Sequence, residues 1–161
     1  MPISVGLACR DGRRYYAVNK DMDQERVYAD PWLRENVVPL LPAAPTFLGP
    51  QAWLDIYHRD VRPLRRIAND VEQFFDQTRR ARIVTWFGSY DFVRLMQLWG
   101  PMKNRPGNVP GHPFELRQYA EMLEAPELPR QTTAKHHAGN DADWNLVVKN
   151  WLDSLAVSKM T

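Results

Sequence analysis

The chain has 161 residues, which leaves room for one domain and not comfortably for two. With 21 Lys and Arg against 19 Asp and Glu, its formal net charge of +2 is too small to identify a nucleic-acid-binding protein by charge alone. The single cysteine, Cys9, excludes an internal disulfide framework, and neither a secretory signal nor an apolar run of about 18 residues is present. These features predict a soluble, cytoplasmic protein without membrane contacts.

The first predicted elements are two strands that form an antiparallel hairpin. Residues 3–9 and 15–18 are rich in β-formers, and Asp11 and Gly12 lie between them. An Asp-Gly pair between two such runs is the strongest short hairpin signal in a sequence.

A short helix and a proline-rich connector follow the hairpin. Asp30 and Pro31 read as the N-cap and first residue of a helix over residues 32–38. Four prolines within residues 39–50 then predict an extended connector that is too short to separate two domains.

The clearest predicted helix comes next. Apolar residues recur at three- and four-residue spacing from Val61 to Phe75, and Pro63 is tolerable only in the first turn. Residues 59–82 hold seven arginines against four acidic residues. These arginines could follow a phosphate backbone, but the solvated face of an amphipathic helix is the favoured interpretation.

The second half of the chain predicts a buried strand followed by helices. Residues 83–87 form a continuous β-prone run, typical of a strand buried on both faces, and residues 92–99 predict a short helix that is apolar nearly all round. Residues 100–113 are interpreted as a loop, residues 115–123 as a helix and residues 126–139 as irregular chain. The last helix has an apolar stripe of Trp144, Val147, Val148, Trp151, Leu152 and Leu155. This order predicts an α/β fold with a mixed sheet flanked by helices.

Asp91 is the first candidate functional residue, because it lies where the buried strand gives way to a helix. Open α/β sheets bind ligands at the ends of their strands. A plain N-cap aspartate is an equally good interpretation. Several aromatic residues surround Asp91 and could stack on bases, although core packing is favoured for Trp86 and Trp99.

A second candidate cluster precedes the last helix. His136 and His137 are followed by Asp141 and Asp143, which together could supply a general base and a carboxylate ligand for Mg²⁺ or Mn²⁺. The alternatives are aspartates that complement the helix dipole and histidines in a solvated loop. A structural zinc site is disfavoured, since Cys9 is the only thiol.

Together these segments resemble bacterial 3′→5′ exoribonucleases of the RNase-H-like DEDDh class. Residues 86–102 resemble the second motif region of that class, and His136 followed five residues later by Asp141 and Ala142 matches its last motif. The predicted hairpin resembles the second and third strands of the family. The resemblance covers most of the chain, from Ile3 to about Leu155.

The resemblance implies one RNase-H-like exonuclease domain over residues 1–161 that removes nucleotides from the 3′ end of single-stranded RNA. The family uses two divalent ions, Mg²⁺ or Mn²⁺. By position, Asp91 and Asp141 would bind metal and His136 would deprotonate the attacking water. His137 is the alternative base. The implied substrate contacts are Tyr90, Phe92 and His137, adenine-rich 3′ ends are a family-level expectation, and a homodimer is compatible with the resemblance.

One departure from the family is large. Its opening strand carries an Asp-x-Glu pair of metal-binding carboxylates and lies centrally, between the hairpin and the strand at residues 83–87, yet nothing in this sequence corresponds to it. We therefore expect Met1 to be internal to a longer reading frame, with the strand and its turn roughly twenty residues upstream. With two of four acidic ligands missing, this chain should be inactive or impaired.

Two other functions fit the same sequence. A catalytically dead RNase-H-like module would bind RNA or a protein partner without cleaving RNA, and a plain scaffold protein would do neither. Release of nucleotides from labelled RNA separates these possibilities.

Overall fold

The computed structural model describes residues 1–48, 52–78, 80–125 and 127–160. It has two small sheets flanked by helices, which confirms the α/β class. The strands are β1 (Ser4–Ala8), β2 (Arg14–Asn19), β3 (Val61–Arg62), β4 (Ile83–Thr85) and β5 (Pro113–Glu115). The helices are α1 (Gln24–Ala29), α2 (Pro31–Asn36), α3 (Leu64–Asp76), α4 (Gly88–Met96), α5 (Leu116–Met122) and α6 (Ala138–Met160). Three residues of predicted segments lie outside the described residues. They are Pro50 of the connector, Arg79 of the arginine-rich segment and Pro126 of the irregular segment.

The predicted hairpin is confirmed as the antiparallel pair β1 and β2. Cys9 donates its backbone N–H to Arg13 O at 3.0 Å, which leaves a three-residue loop. Gly12 within that loop has φ 94°, and Asp11 accepts the Arg13 N–H at 3.0 Å. A glycine with positive φ is what a three-residue hairpin loop requires at this position.

The Asp30-Pro31 helix is also confirmed, but it is shorter than predicted. Asp30 accepts the Leu33 N–H at 3.0 Å, and the helix ends at Asn36, before the 3₁₀ turn Val38–Leu40. Helix α1 was not predicted. It has six residues of which only Val27 is buried, so it shows no apolar periodicity.

The long amphipathic helix is confirmed as α3, with Ile67, Val71 and Phe75 buried. The prediction that the helix includes Val61 is wrong, because Val61 lies in β3 and pairs in parallel with Val18 of β2. Pro63 occupies the N-cap position rather than the first turn. A strand of two residues is too short to show the alternation of apolar and polar residues by which strands are predicted.

The strand at residues 83–87 and its following helix need correction. Strand β4 ends at Thr85, and α4 begins at Gly88 instead of residue 92. The prediction that residues 92–99 form a buried helix is wrong, because Val93 and Arg94 are exposed. Asp91 lies in the first turn of α4, and the N-cap is Phe87, so Asp91 is not the capping residue.

The last third of the chain matches the predicted helices. Glu115 caps α5, and α6 runs from Ala138 to Met160. In the predicted apolar stripe, Val148 and Leu152 are buried, whereas Val147 is exposed. Strand β5 was not predicted. It begins at Pro113, the last residue of the predicted loop, and pairs in parallel with β4.

The five strands form two separate sheets. The first has the order β3, β2, β1, and the second contains β4 and β5, so β1 and β4 each have an edge that pairs with no other strand among the described residues. No helix in the described part of the chain is long and apolar enough to cross a membrane.

Candidate active-site groove

A groove of about 1270 Å³ is bordered by the open edges of β1 and β4. All five residues of β1 and all three of β4 line it, together with side chains from the start of α6 and from α4. The groove therefore follows the length of both strands instead of forming a compact cavity.

The backbone of β1 faces this groove with polar groups that pair with no other described residue. The pairs Ile3 with Asn19 and Cys9 with Arg13 are hydrogen-bonded, so in an antiparallel ladder the alternate residues between them turn their N–H and C=O groups away from β2. Those residues are Ser4, Gly6 and Ala8. Unpaired backbone groups along a strand edge favour a partner strand.

Three sequence-predicted site residues line the same groove. Asp91 comes from the first turn of α4, Asp141 from the first turn of α6 and His136 from the segment just before α6. The fold thus brings together side chains that are about fifty residues apart in the chain. The groove contains an acid pair and an imidazole.

The carboxyl of Asp91 carries the clearest electrostatic signal in the groove. It stays exposed to solvent, yet the surrounding protein desolvates it and the negative charges of Asp141 and Glu115 oppose its ionisation. These effects raise the pKa of Asp91 to about 6. Asp91 accepts no hydrogen bond from any described residue, so its charge is not compensated by a donor.

Asp141 is held by its neighbours. Its carboxylate accepts a hydrogen bond from the Gln131 amide at 2.8 Å, and its backbone N–H donates to His137 O at 3.0 Å. Its place in the first turn of α6 also suits the positive end of the helix dipole. Asp143, the other aspartate of the predicted cluster, forms an ion pair with Arg14 instead.

The two histidines have different surroundings. His136 is exposed, has φ 68°, and contacts the Trp32 ring in an edge arrangement with centroids 4.9 Å apart. His137 stacks on Tyr16 at 4.3 Å, and its Nδ1 accepts the Asn140 N–H at 3.3 Å. His137 therefore tethers the start of α6, while His136 faces the groove.

The aromatic residues near Asp91 differ in their exposure to solvent. Tyr90 is 75 % exposed, whereas Phe92 packs against the core formed around α3. Trp86 and Trp99, for which core packing was favoured, are partly buried, and the Trp86 ring meets Trp144 at 5.2 Å.

Comparison with known proteins identifies relatives of this chain. No family profile matches it. The 3′-5′ exoribonucleases of two Mycobacterium tuberculosis strains, H37Rv and CDC 1551, are each 39 % identical to it over 142 residues, which cover 87 % of this chain and 76 % of theirs. The chain belongs to this 3′-5′ exoribonuclease family.

In this member of the exoribonuclease family, Glu115 supports the wall of the groove, a role that was not predicted from the sequence. Its carboxylate accepts the Phe87 N–H at 3.1 Å and the Gly88 N–H at 2.5 Å, and it also caps α5 through Arg117 N at 3.0 Å. It thereby fixes the turn between β4 and α4, where Phe87 has φ 59°. The sequence signalled only a helix start at this position.

Two buried polar atoms in the groove walls have no hydrogen-bond partner in the described part of the chain. They are Oγ1 of Thr85, which is 6 % exposed, and Oδ1 of Asn145. A buried polar atom without a partner costs about 1 to 3 kcal/mol, so such atoms commonly mark a place where a polar group binds.

The acidic side chains of the groove do not by themselves form a complete metal site. Within the described residues, no group of three or more His, Cys, Asp or Glu side chains is arranged to hold a metal ion. The negative charge of Asp141 opposes the ionisation of Asp91, and a cation would relieve that repulsion. The oxygen donors present suit Mg²⁺ or Mn²⁺, but they are too few to hold two ions.

Proposed function

We propose that this chain is a metal-dependent 3′→5′ exoribonuclease domain of the RNase-H-like DEDDh class, acting on single-stranded RNA. The observation that carries the proposal is the convergence of Asp91, His136 and Asp141 on one groove, in a chain 39 % identical to 3′-5′ exoribonucleases.

The arrangement of strands supports the RNase-H-like part of the proposal. The order β3, β2, β1, groove, β4, β5 is the one expected of an RNase-H-like sheet that lacks its central strand. A strand in the groove would pair with the free N–H and C=O groups of Ser4, Gly6 and Ala8. It would also bring backbone donors and acceptors to the walls that hold Thr85 and Asn145.

We further propose that this strand carries the two carboxylates that complete the site. Asp91 and Asp141 would then be two ligands of four, and the described residues alone would not hold the ions. When bound, divalent ions would polarise the scissile phosphate and stabilise the leaving 3′ oxygen. The domain would span the whole chain together with that strand.

His136 is the proposed general base. It takes a proton from the water whose oxygen attacks phosphorus; the bond from phosphorus to the 3′ oxygen breaks, and a nucleoside 5′-monophosphate leaves. An imidazole suits this role because its ordinary pKa lies near neutrality. His136 makes no hydrogen bond with the described residues, so its ring nitrogens remain available to water.

Cationic side chains around the groove suit an RNA backbone. Six basic residues line it, against four acidic ones. The basic residues are Arg10, Arg26, Arg80, Arg82, Arg94 and Lys149. Phosphate contacts of this kind fix the position of a strand without reading its sequence.

Degradation of a labelled oligoribonucleotide in the presence of Mn²⁺ tests the proposal. The chain is compared with a form that is extended at its amino terminus by the additional strand and turn. We expect stepwise loss of nucleotides from the 3′ end with the extended form, little or none with the shorter one, and none with Asp141→Asn in either. RNA binding without cleavage in both forms would instead establish the inactive binding module.

A further inference from the structure

Trp32 differs from the other tryptophans of the chain. All six tryptophans lie in the described residues, and Trp32, at 52 % exposure, is the only exposed one. It belongs to none of the hydrophobic clusters that form the core. Tryptophan is highly buried on average, so an exposed indole that stabilises no core is a candidate binding group.

The position of Trp32 links it to the groove. Its ring meets the ring of His136 with centroids 4.9 Å apart and planes at 75°. Two neighbours on the same helical segment, Asp30 and Leu33, line the groove directly. The indole therefore lies at the groove mouth, beside the side chain proposed to activate water.

We infer that Trp32 binds the base of the 3′-terminal nucleotide by stacking, an inference that rests on the proposed function. If His136 activates water for attack on the last phosphate, the nucleoside attached to that phosphate lies within a few ångströms of His136. An aromatic platform at this distance binds any base, because every base presents a π-face. Trp32 is thus a substrate-binding residue that does not discriminate between bases.

A binding cycle tests this inference. A single-stranded oligoribonucleotide with nuclease-resistant phosphorothioate linkages is compared with the same RNA lacking only its 3′-terminal base. We expect Trp32→Ala to weaken binding of the intact RNA by about tenfold, the usual effect of losing one stacked base. Loss of the terminal base should weaken binding by the unsubstituted protein similarly, and should cost Trp32→Ala almost nothing more.

Two variants serve as controls. Trp32→Phe keeps a ring and should bind intact RNA within about threefold of the unsubstituted protein. Tyr57 is 85 % exposed and does not line the groove, so Tyr57→Ala should leave affinity unchanged. Unchanged circular dichroism spectra and thermal midpoints establish that the variants are folded.

The outcomes separate this inference from the proposed function. If the unsubstituted protein binds RNA and Trp32→Ala binds it equally well, the role of Trp32 is wrong while the proposed function stands. Equal losses for Trp32→Ala with the intact and the base-free RNA would also overturn it, since the contact would not involve the terminal base. No RNA binding by the unsubstituted protein, in either the short or the extended form, would overturn both.

Discussion

Asp91 shows how a candidate site residue can oppose the stability of the fold that holds it. Its carboxyl is desolvated, lies in the field of Asp141 and Glu115, and accepts no hydrogen bond from the described residues. Its place in the first turn of α4 suits the helix dipole, but desolvation and the neighbouring negative charges outweigh that gain. The arrangement is instead typical of a side chain kept for binding a cation or a reacting group.

The raised pKa of Asp91, about 6, predicts a pH-dependent gain in stability for Asp91→Asn. Below about pH 4, folded and unfolded states both hold the proton, so the substitution has no effect. As the pH rises to about 6 the unfolded state alone loses its proton, and the unsubstituted protein loses stability. At pH 7 we expect the variant to be more stable by about 1 kcal/mol, a value reduced for solvent screening.

Urea denaturation at pH 3.5 and pH 7 measures this difference. Asp143→Asn is the matched control: Asp143 pairs with Arg14, so its replacement should not stabilise the protein at pH 7. Equal stabilities of Asp91→Asn and the unsubstituted protein at both pH values would contradict the electrostatic account of Asp91.

The two adjacent histidines give a second prediction at this scale. In the extended form, His136→Ala should lower the rate of RNA degradation by about a hundredfold or more, the usual contribution of a general base. His137→Ala should retain more of that rate and lose thermal stability, because His137 stacks on Tyr16 and accepts the Asn140 N–H. The reverse pattern would make His137 the base.

Among the elements, α6 depends on a single glycine of β1. A Cβ at Gly6 would lie 2.0 Å from the carbonyl oxygen of Ala138, the first residue of α6. We expect Gly6→Ala to lower the free energy of unfolding by about 3 kcal/mol or more, because backbone on both sides must move. Gly107→Ala, where a Cβ meets nothing within 4 Å, should leave stability within about 0.5 kcal/mol. Equal thermal midpoints for the two variants would show that α6 is not packed on β1 as described.

Glu115 gives the second element-scale prediction, since it joins the end of β5 to the start of α4. Glu115→Ala removes the acceptor for the N–H groups of Phe87 and Gly88, and should cost about 2 to 3 kcal/mol in chemical denaturation. Glu121 forms only an exposed pair with Arg117, so Glu121→Ala should cost less than about 0.5 kcal/mol. Similar costs would mean that the turn before α4 does not depend on Glu115.

Elements with a strong local signal could be predicted from the sequence. The Asp11-Gly12 turn, the Asp30 cap and the apolar period of α3 each encode their structure within a few residues. Strands β3 and β5 have two or three residues and exist only through parallel pairing with distant strands, so no local pattern announces them. The start of α4 was missed because it depends on Glu115, 27 residues after Gly88.

Across the whole molecule, the candidate site was predictable only in part. Asp91, His136 and Asp141 were candidates from their places in the sequence, motif resemblance assigned their roles, and the structure places all three on the groove. The residues that surround them could not be predicted. Trp32 contacts the His136 ring although it lies 104 positions earlier in the chain, and the negative charge of Glu115 acts on Asp91. Such contacts depend on how helices pack across the sheets, which spacing within a sequence does not encode.

The groove between the two sheets leads to a prediction about backbone hydrogen exchange. In this chain the N–H groups of Ser4, Gly6 and Ala8 face the groove, whereas those of Val5 and Leu7 bond to β2. After correction for intrinsic rates, the first three should exchange at least about tenfold faster than the other two. In the form extended by the additional strand, all five should become slow, because the new strand accepts the hydrogen bonds of the outward-facing N–H groups. If Ser4, Gly6 and Ala8 are already as protected as Val5 in this chain, the edge of β1 is covered by something else and the groove is not the place of a missing strand.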